Sequence, residues 1–299
     1  MLIETDLGRD ADDFFALLYL IKSGVKISGI TITPGDPDQI AVGKFLTKQC
    51  GVSIPIFASI PDRAKSSSGG YHYRIMKRFG YPRKEVADGL GEEMFSNLMS
   101  PEEDLLIIGP ATAFGDYWER NQDVVIPKMT VQGGFIGYDV HGLPCCRLPK
   151  FEGLETVPTF NLMGSAKGAD AIMSANIQDL KFVSKNVCHS ILLTQELYDH
   201  YLQIPNNDLE QFYDDCIFYL LEEKPWRVYH DPLAVAMHSH PELGTWVRAK
   251  LYRTPEKEYG SRLDENSNSQ IIVDVDRPKF WQEIFKLGNS ETSPETLAA

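Results

Sequence analysis

Hydrophobic positions in the first two-thirds of the chain switch repeatedly between short apolar runs and helical spacing. Leu2–Thr5 predicts a strand. Asp12–Ser23 then places Phe14, Leu17, Leu18 and Ile21 at helical intervals before Gly24 ends the segment. Ile27–Thr33 predicts a second strand, Pro37–Gln49 a second helix and Ile54–Ala58 a third strand. Leu105–Ile108 and Met129–Val131 read as further strands, with a helix from about Ala113 to Arg120 between them. Ala166–Ser174, Leu209–Glu222 and Pro232–His238 carry helical patterns, while Phe182–Val183 and Ser190–Leu193 supply late strands. Thr245–Tyr252 and Gln270–Val275 look like an antiparallel pair before a closing helix, Pro278–Phe285.

Strands alternating with helices imply parallel βαβ units with right-handed crossovers. The expected architecture is therefore α/β: a single domain over residues 1–287, with an open, mixed, mostly parallel sheet flanked by helices. No repeat or hinge-like linker divides the chain. Lys65–Gly70 reads as a flexible stretch and Gly288–Ala299 as a frayed tail.

Composition narrows the class without naming it. The longest apolar run, Phe14 to Ile21, has eight residues and is too short to span a bilayer. The N-terminus lacks the basic start and apolar middle of a secretory signal, which makes the cytoplasm the expected location. A formal charge of -13 and no basic stripe argue against nucleic acid or anionic membrane as partner. The five cysteines are odd in number and scattered, and Cys145-Cys146 read as free thiols rather than a disulfide or zinc motif.

In open parallel sheets ligands bind beyond the carboxyl ends of the strands. The first strand runs out into Glu4-Thr5-Asp6-Leu7-Gly8-Arg9-Asp10-Ala11-Asp12-Asp13, five acids in ten residues. Like charges at this density repel unless a cation neutralises them, and carboxylate oxygens suit Ca²⁺ or Mg²⁺. A solvated acidic turn, with Asp12-Asp13 serving the helix N-terminus, is the plainer meaning. Asp36 after Pro34-Gly35 could point over the sheet edge or simply close a turn. Gly109-Pro110 can leave carbonyls facing a cleft, and Gln132-Gly133-Gly134 permits close backbone approach by a ligand. His230 and Asp231 could be site residues, or a satisfied histidine and an N-cap before Pro232.

Taken together, these elements resemble the inosine-uridine-preferring nucleoside hydrolase family. The signature acid-x-Asp-x-Gly followed by Asp-Asp and an apolar helix is matched by Glu4–Gly8 and Asp12–Leu17, with two extra residues between. The Gly-Pro-x-Thr element is Gly109–Thr112, the Phe-Asn element Phe160-Asn161, the His-Asp-Pro element His230-Asp231-Pro232, and the closing strand and aromatic helix Val273–Phe280. The resemblance implies Ca²⁺ held by Asp6, Asp13, Asp231 and the Thr112 carbonyl. It also implies ribose hydroxyls held by Asp12 and Asn161, with Asp36 among the substrate contacts. Asp6 would take the proton from the attacking water and His230 would face the leaving base. A small nucleoside or related N-riboside is then the expected partner, and a homodimer or homotetramer the expected assembly. Asp36, Ala113, Thr159 and Glu4 depart from the residues usual in the family, so the metal set is kept while sugar and base contacts are altered.

Two other classes stay open on residues alone. A Mg²⁺-dependent phosphatase would need a nucleophilic Asp where Glu4 stands, and a non-catalytic Ca²⁺-dependent sugar binder would keep the fold without turnover.

Overall fold

The structure is a computed structural model, which describes residues 1–60, 67–138, 140, 145–201 and 204–286. The tail predicted at Gly288–Ala299 and the first two residues of Lys65–Gly70 lie outside the described residues.

In chain order the first half comprises β1 (Leu2–Thr5), α1 (Asp12–Lys22), β2 (Gly29–Ile32), α2 (Pro37–Gln49), β3 (Ile56–Ala58), α3 (Gly70–Arg78), β4 (Gly89–Leu90), α4 (Gly91–Leu98), β5 (Leu105–Ile107), α5 (Thr112–Trp118) and β6 (Val125–Gln132). The second half comprises α6 (Phe160–Gly164), α7 (Ala166–Ser174), β7 (Asn176–Val183), α8 (Lys185–Cys188), β8 (Leu192–Thr194), α9 (Gln195–Tyr201), α10 (Asp208–Glu223), β9 (Trp226–Val228), α11 (His230–Ser239), β10 (Gly244–Arg253), β11 (Tyr259–Leu263), β12 (Ser269–Val275) and α12 (Arg277–Phe285).

Ten strands form one sheet in the order β11-β10-β12-β7-β6-β5-β1-β2-β3-β4. Only β10 runs against the rest, pairing antiparallel with β11 and β12, while every other neighbouring pair is parallel. The mostly parallel α/β expectation therefore holds. Helices cover both faces, which is why the central strands read as unbroken apolar runs rather than alternating ones. In β1, Leu2 packs into the layer with Phe95, Phe114 and Met129, while Ile3 packs into the opposite layer with Phe14, Leu17 and Leu233.

The chain winds outward from β1 to β4, then crosses back so that β5 lies on the other side of β1. That reversal opens a crevice beyond the carboxyl ends of β1 and β5, where the five acids leave the sheet.

Two late assignments change. The strand at Phe182–Val183 extends back to Asn176, and the segment Ser190–Leu193 does not join the main sheet. Its last residues belong to β8, which pairs with β9 in a separate two-stranded ribbon. Among the described residues no helix is long and apolar enough to cross a membrane, and all five cysteines are free thiols.

Candidate active site

The ends of β1 and β5 meet so closely that Gly109 has no room for a side chain: a Cβ there would lie 2.5 Å from the Asp6 nitrogen and the Thr5 carbonyl carbon. Glu4, fully buried, straps this junction. Its carboxylate accepts the Ala113 and Phe114 N–H groups at the start of α5 (2.8 and 3.0 Å) and the Thr33 hydroxyl at the end of β2 (3.0 Å). Burial pushes Glu4 up to about 7 despite these donors. The first acid of the signature is thus a brace and not a cleft residue.

The loop after β1 is pinned twice. The Thr5 hydroxyl donates to Asp13 Oδ1 and accepts the Leu7 N–H at 3.1 Å. Gln39 of α2 donates its amide to the Asp6 and Leu7 carbonyls (3.2 and 2.9 Å). Gly8 sits at φ +107, a conformation side-chain-bearing residues rarely adopt, so the chain can double back toward α1.

α1 packs against α11, and this contact brings the N-terminal acids to Asp231. Phe15 and Tyr229 stack at 5.9 Å beneath them. One carboxylate oxygen from each of Asp12, Asp13 and Asp231 lies within 4.8 Å of the others. Asp13 and Asp231 are buried, and neither forms an ion pair among the described residues. Burial is the largest influence on every acid here, followed by mutual repulsion. It drives Asp13 and Asp231 well above the carboxylate range, Asp6 to about 7 and Asp12 to about 6. The backbone N–H groups of His230 and Asp231 partly relieve Asp12, and Arg9 partly relieves Asp6. A divalent cation fits this donor set: it supplies the missing positive charge, and all the side-chain ligands are hard oxygens.

The acids form one wall of a cavity of ≈ 200 Å³, completed by Ile108, Gln132, Gly133, Thr159, Phe160, Asn161, Lys185, His189 and His230. Asn161 donates both amide hydrogens to Gln132, to its carbonyl at 3.2 Å and its Oε1 at 2.7 Å, which leaves Asn161 Oδ1 to accept from a ligand. His230 is held down to about 4, by burial first and then by Lys185 and Lys150, and its Nδ1 has no partner among the described residues. At the lip, Arg9 stacks 5.1 Å from the centre of the Phe160 ring, which is 56% exposed.

The model of the family described as inosine-uridine preferring nucleoside hydrolase matches residues 1–282. The chain belongs to that family. This nucleoside hydrolase also shares its fold with solved members. A plant nucleoside hydrolase aligns with a TM-score of 0.68 and 14% identity over 95% of this chain and 96% of that one. A purine-preferring ribonucleoside hydrolase from Gardnerella vaginalis gives 0.62 and 17% over 95% and 97%. An inosine-uridine preferring nucleoside hydrolase from Bacillus anthracis gives 0.66 and 13% over the same shares. No curated protein sequence matches the chain significantly.

Within this nucleoside hydrolase, Asp6, Asp12, Asp13, Asn161, His230 and Asp231 all reach the one cavity. Asp36 and Thr112 do not line it. Asp36 caps α2, its Oδ1 accepting the Asp38 and Gln39 N–H groups and its Oδ2 the Ser67 N–H at 2.7 Å. The turn reading of Pro-Gly-Asp is realised, and a substrate contact at Asp36 rests on the family resemblance alone. Thr112 opens α5 beside the Glu4 brace. Sequence reasoning did not single out Lys185 or His189 at all. Each is an isolated polar residue around the four-residue α8, with no spacing to announce it.

Proposed function

We propose that the protein hydrolyses the N-glycosidic bond of a ribonucleoside or related N-riboside, releasing free base and ribose, with Ca²⁺ held by Asp6, Asp13, Asp231 and the Thr112 carbonyl. One observation carries this reading: acids from the start of the chain and Asp231 from its last quarter converge in a single cavity, and among the described residues Asp12, Asp13 and Asp231 form no ion pair. When bound, the ion would neutralise these acids and position both the attacking water and the 2′- and 3′-hydroxyls.

The protein's own groups supply the rest. Asp6 takes the proton from the water that attacks C1′. Asp12, the first residue of α1, met by the N–H groups that open α11, and Asn161 Oδ1, freed by the bonds to Gln132, accept hydrogen bonds from ribose hydroxyls. His230 faces the leaving base with an unpartnered ring nitrogen. Thr5 fixes the orientation of Asp13. Asp36, committed to the α2 cap, acts at one remove by shaping the β2–α2 turn.

A panel of nucleosides, assayed for reducing sugar with and without exhaustive chelation, tests the proposal. Metal-dependent sugar release is expected. Turnover that survives chelation would contradict the calcium role, and ligand binding with no sugar released from any nucleoside would contradict hydrolysis. We also propose a homodimer or homotetramer working in the cytoplasm. Light scattering on the purified protein checks the assembly, and cell fractionation checks the location.

A further inference from the structure

Besides its carboxylates, the cleft is lined by Lys185, His189 and Thr159, with the His189 ring 5.0 Å from that of His230. Lys185 opens α8, one residue beyond the end of β7, and its N–H is anchored to the Gly134 carbonyl at 2.9 Å. Its ammonium donates to the Pro158 carbonyl at 2.6 Å and, among the described residues, forms no ion pair. Lys150 stands behind, donating to His189 Nδ1 at 2.6 Å. That bond leaves the proton of the neutral ring on Nε2, as a donor. Thr159 is 3% exposed, and its hydroxyl has no hydrogen-bond partner among the described residues.

These groups make an unfinished arrangement. Lys185 is held below its ordinary value by burial and then by the charge of Lys150. Glu258 offsets this in part from a distance, while accepting the Thr156 hydroxyl at 2.7 Å. A partly buried ammonium beside an orphaned hydroxyl is what a bound anion would complete, through charge-assisted hydrogen bonds. A neutral substrate would fill the space but leave the Lys185 charge without an anionic partner.

We propose that this part of the cleft is an anion subsite, and that the preferred substrates are N-ribosides carrying a phosphate or carboxylate away from the 2′,3′-hydroxyl edge. The inference rests on the hydrolase reading above. Lys185 and Thr159 donate to the anion's oxygens, with His189 Nε2–H beside them. The acidic wall repels the same anion, so the two together fix one orientation of the substrate in the cleft.

The anion could sit on C5′ or on the leaving base, and matched substrates separate the two. Inosine and uridine are compared with their 5′-monophosphates, and uridine with orotidine, which adds a carboxylate to the base. One anionic class is expected to exceed its neutral counterpart in kcat/KM by about tenfold or more. The ratio should shrink with added salt and collapse in Lys185→Met and Thr159→Val, with the larger loss on the anionic substrate. Neutral nucleosides cleaved as well as both anionic classes would overturn the inference and leave the hydrolase reading standing. If nothing is cleaved, the hydrolase reading fails and the subsite is judged by calorimetry alone, using ribose 5-phosphate against ribose and orotate against uracil. Tighter binding of one anion, lost in Lys185→Met, supports the subsite. Equal binding within both pairs overturns it.

Discussion

Asp13 shows what one side chain is asked to do here. It is buried, oriented by the Thr5 hydroxyl and crowded by Asp6 and Asp12. A group held for function in this way costs stability when its counter-ion is missing. Asp13→Asn keeps an acceptor for Thr5 while removing the charge. It should raise the melting temperature of metal-free protein yet abolish both the stabilisation by Ca²⁺ and sugar release. Differential scanning calorimetry with and without the ion checks this, and a fall in the metal-free melting temperature would oppose it. Thr5→Val should keep the fold but slow turnover by roughly tenfold, since misplacement of a catalytic ligand has costs of that order or larger. Steady-state kinetics on the variant decides.

His72 makes a separate residue-scale case. It is fully buried beside the Phe14 and Tyr71 rings, and burial holds it down to about 3, partly offset by the Gly8 backbone. The folded state therefore keeps it neutral, while the unfolded chain binds a proton below the ordinary value of 6.5. Its contribution is complete above that pH and is lost as pH falls toward the folded value, by up to ~1.4 kcal/mol per pH unit. His72→Phe should flatten the decline in stability between neutrality and mild acid. Urea denaturation at several pH values measures it, and an unchanged slope would show that the imidazole is not buried in solution.

At the scale of elements, what could be read from the sequence tracks what each segment buries. β1, α1 and α2 were legible because each presents a continuous apolar pattern or a clear stop. β7 was only half legible: it begins Asn176-Ile177-Gln178-Asp179, and polar residues there face solvent before both faces become buried. β8 was placed two residues early, at Ser190–Leu193, β9 and β11 lack a run long enough to stand out, and α3 follows a serine and glycine stretch that points to a loop. The acids and the His-Asp pair were visible as motifs, whereas Lys185, His189 and the Thr159 hydroxyl acquire meaning only when the fold gathers them. The Glu4 brace belongs to this scale as well, since it joins β1, the end of β2 and α5. Glu4→Ala should leave two helix-start N–H groups without partners and cost ~2–4 kcal/mol. Chemical denaturation would show it, and a cost near zero would mean water replaces the strap.

Across the whole molecule, a cation held by these acids would double as a clasp between α1 and α11. Binding to the folded state alone stabilises by ~2.7 kcal/mol at a hundredfold excess over Kd. For a chain of this size that is a rise of roughly 5–10 °C in melting temperature. Chelation should reverse the rise and Ca²⁺ restore it, whereas a melting curve indifferent to both would place the ion elsewhere or nowhere.

The distance in sequence between Asp13 and Asp231 has a consequence during synthesis. Most of the polypeptide is made after the first acids have left the ribosome and before Asp231 appears, so a nascent chain carries an uncompensated cluster of negative charge for most of its translation. Emergence of Asp231, not folding of the first helix, sets the earliest moment at which an ion could join the two parts of the site.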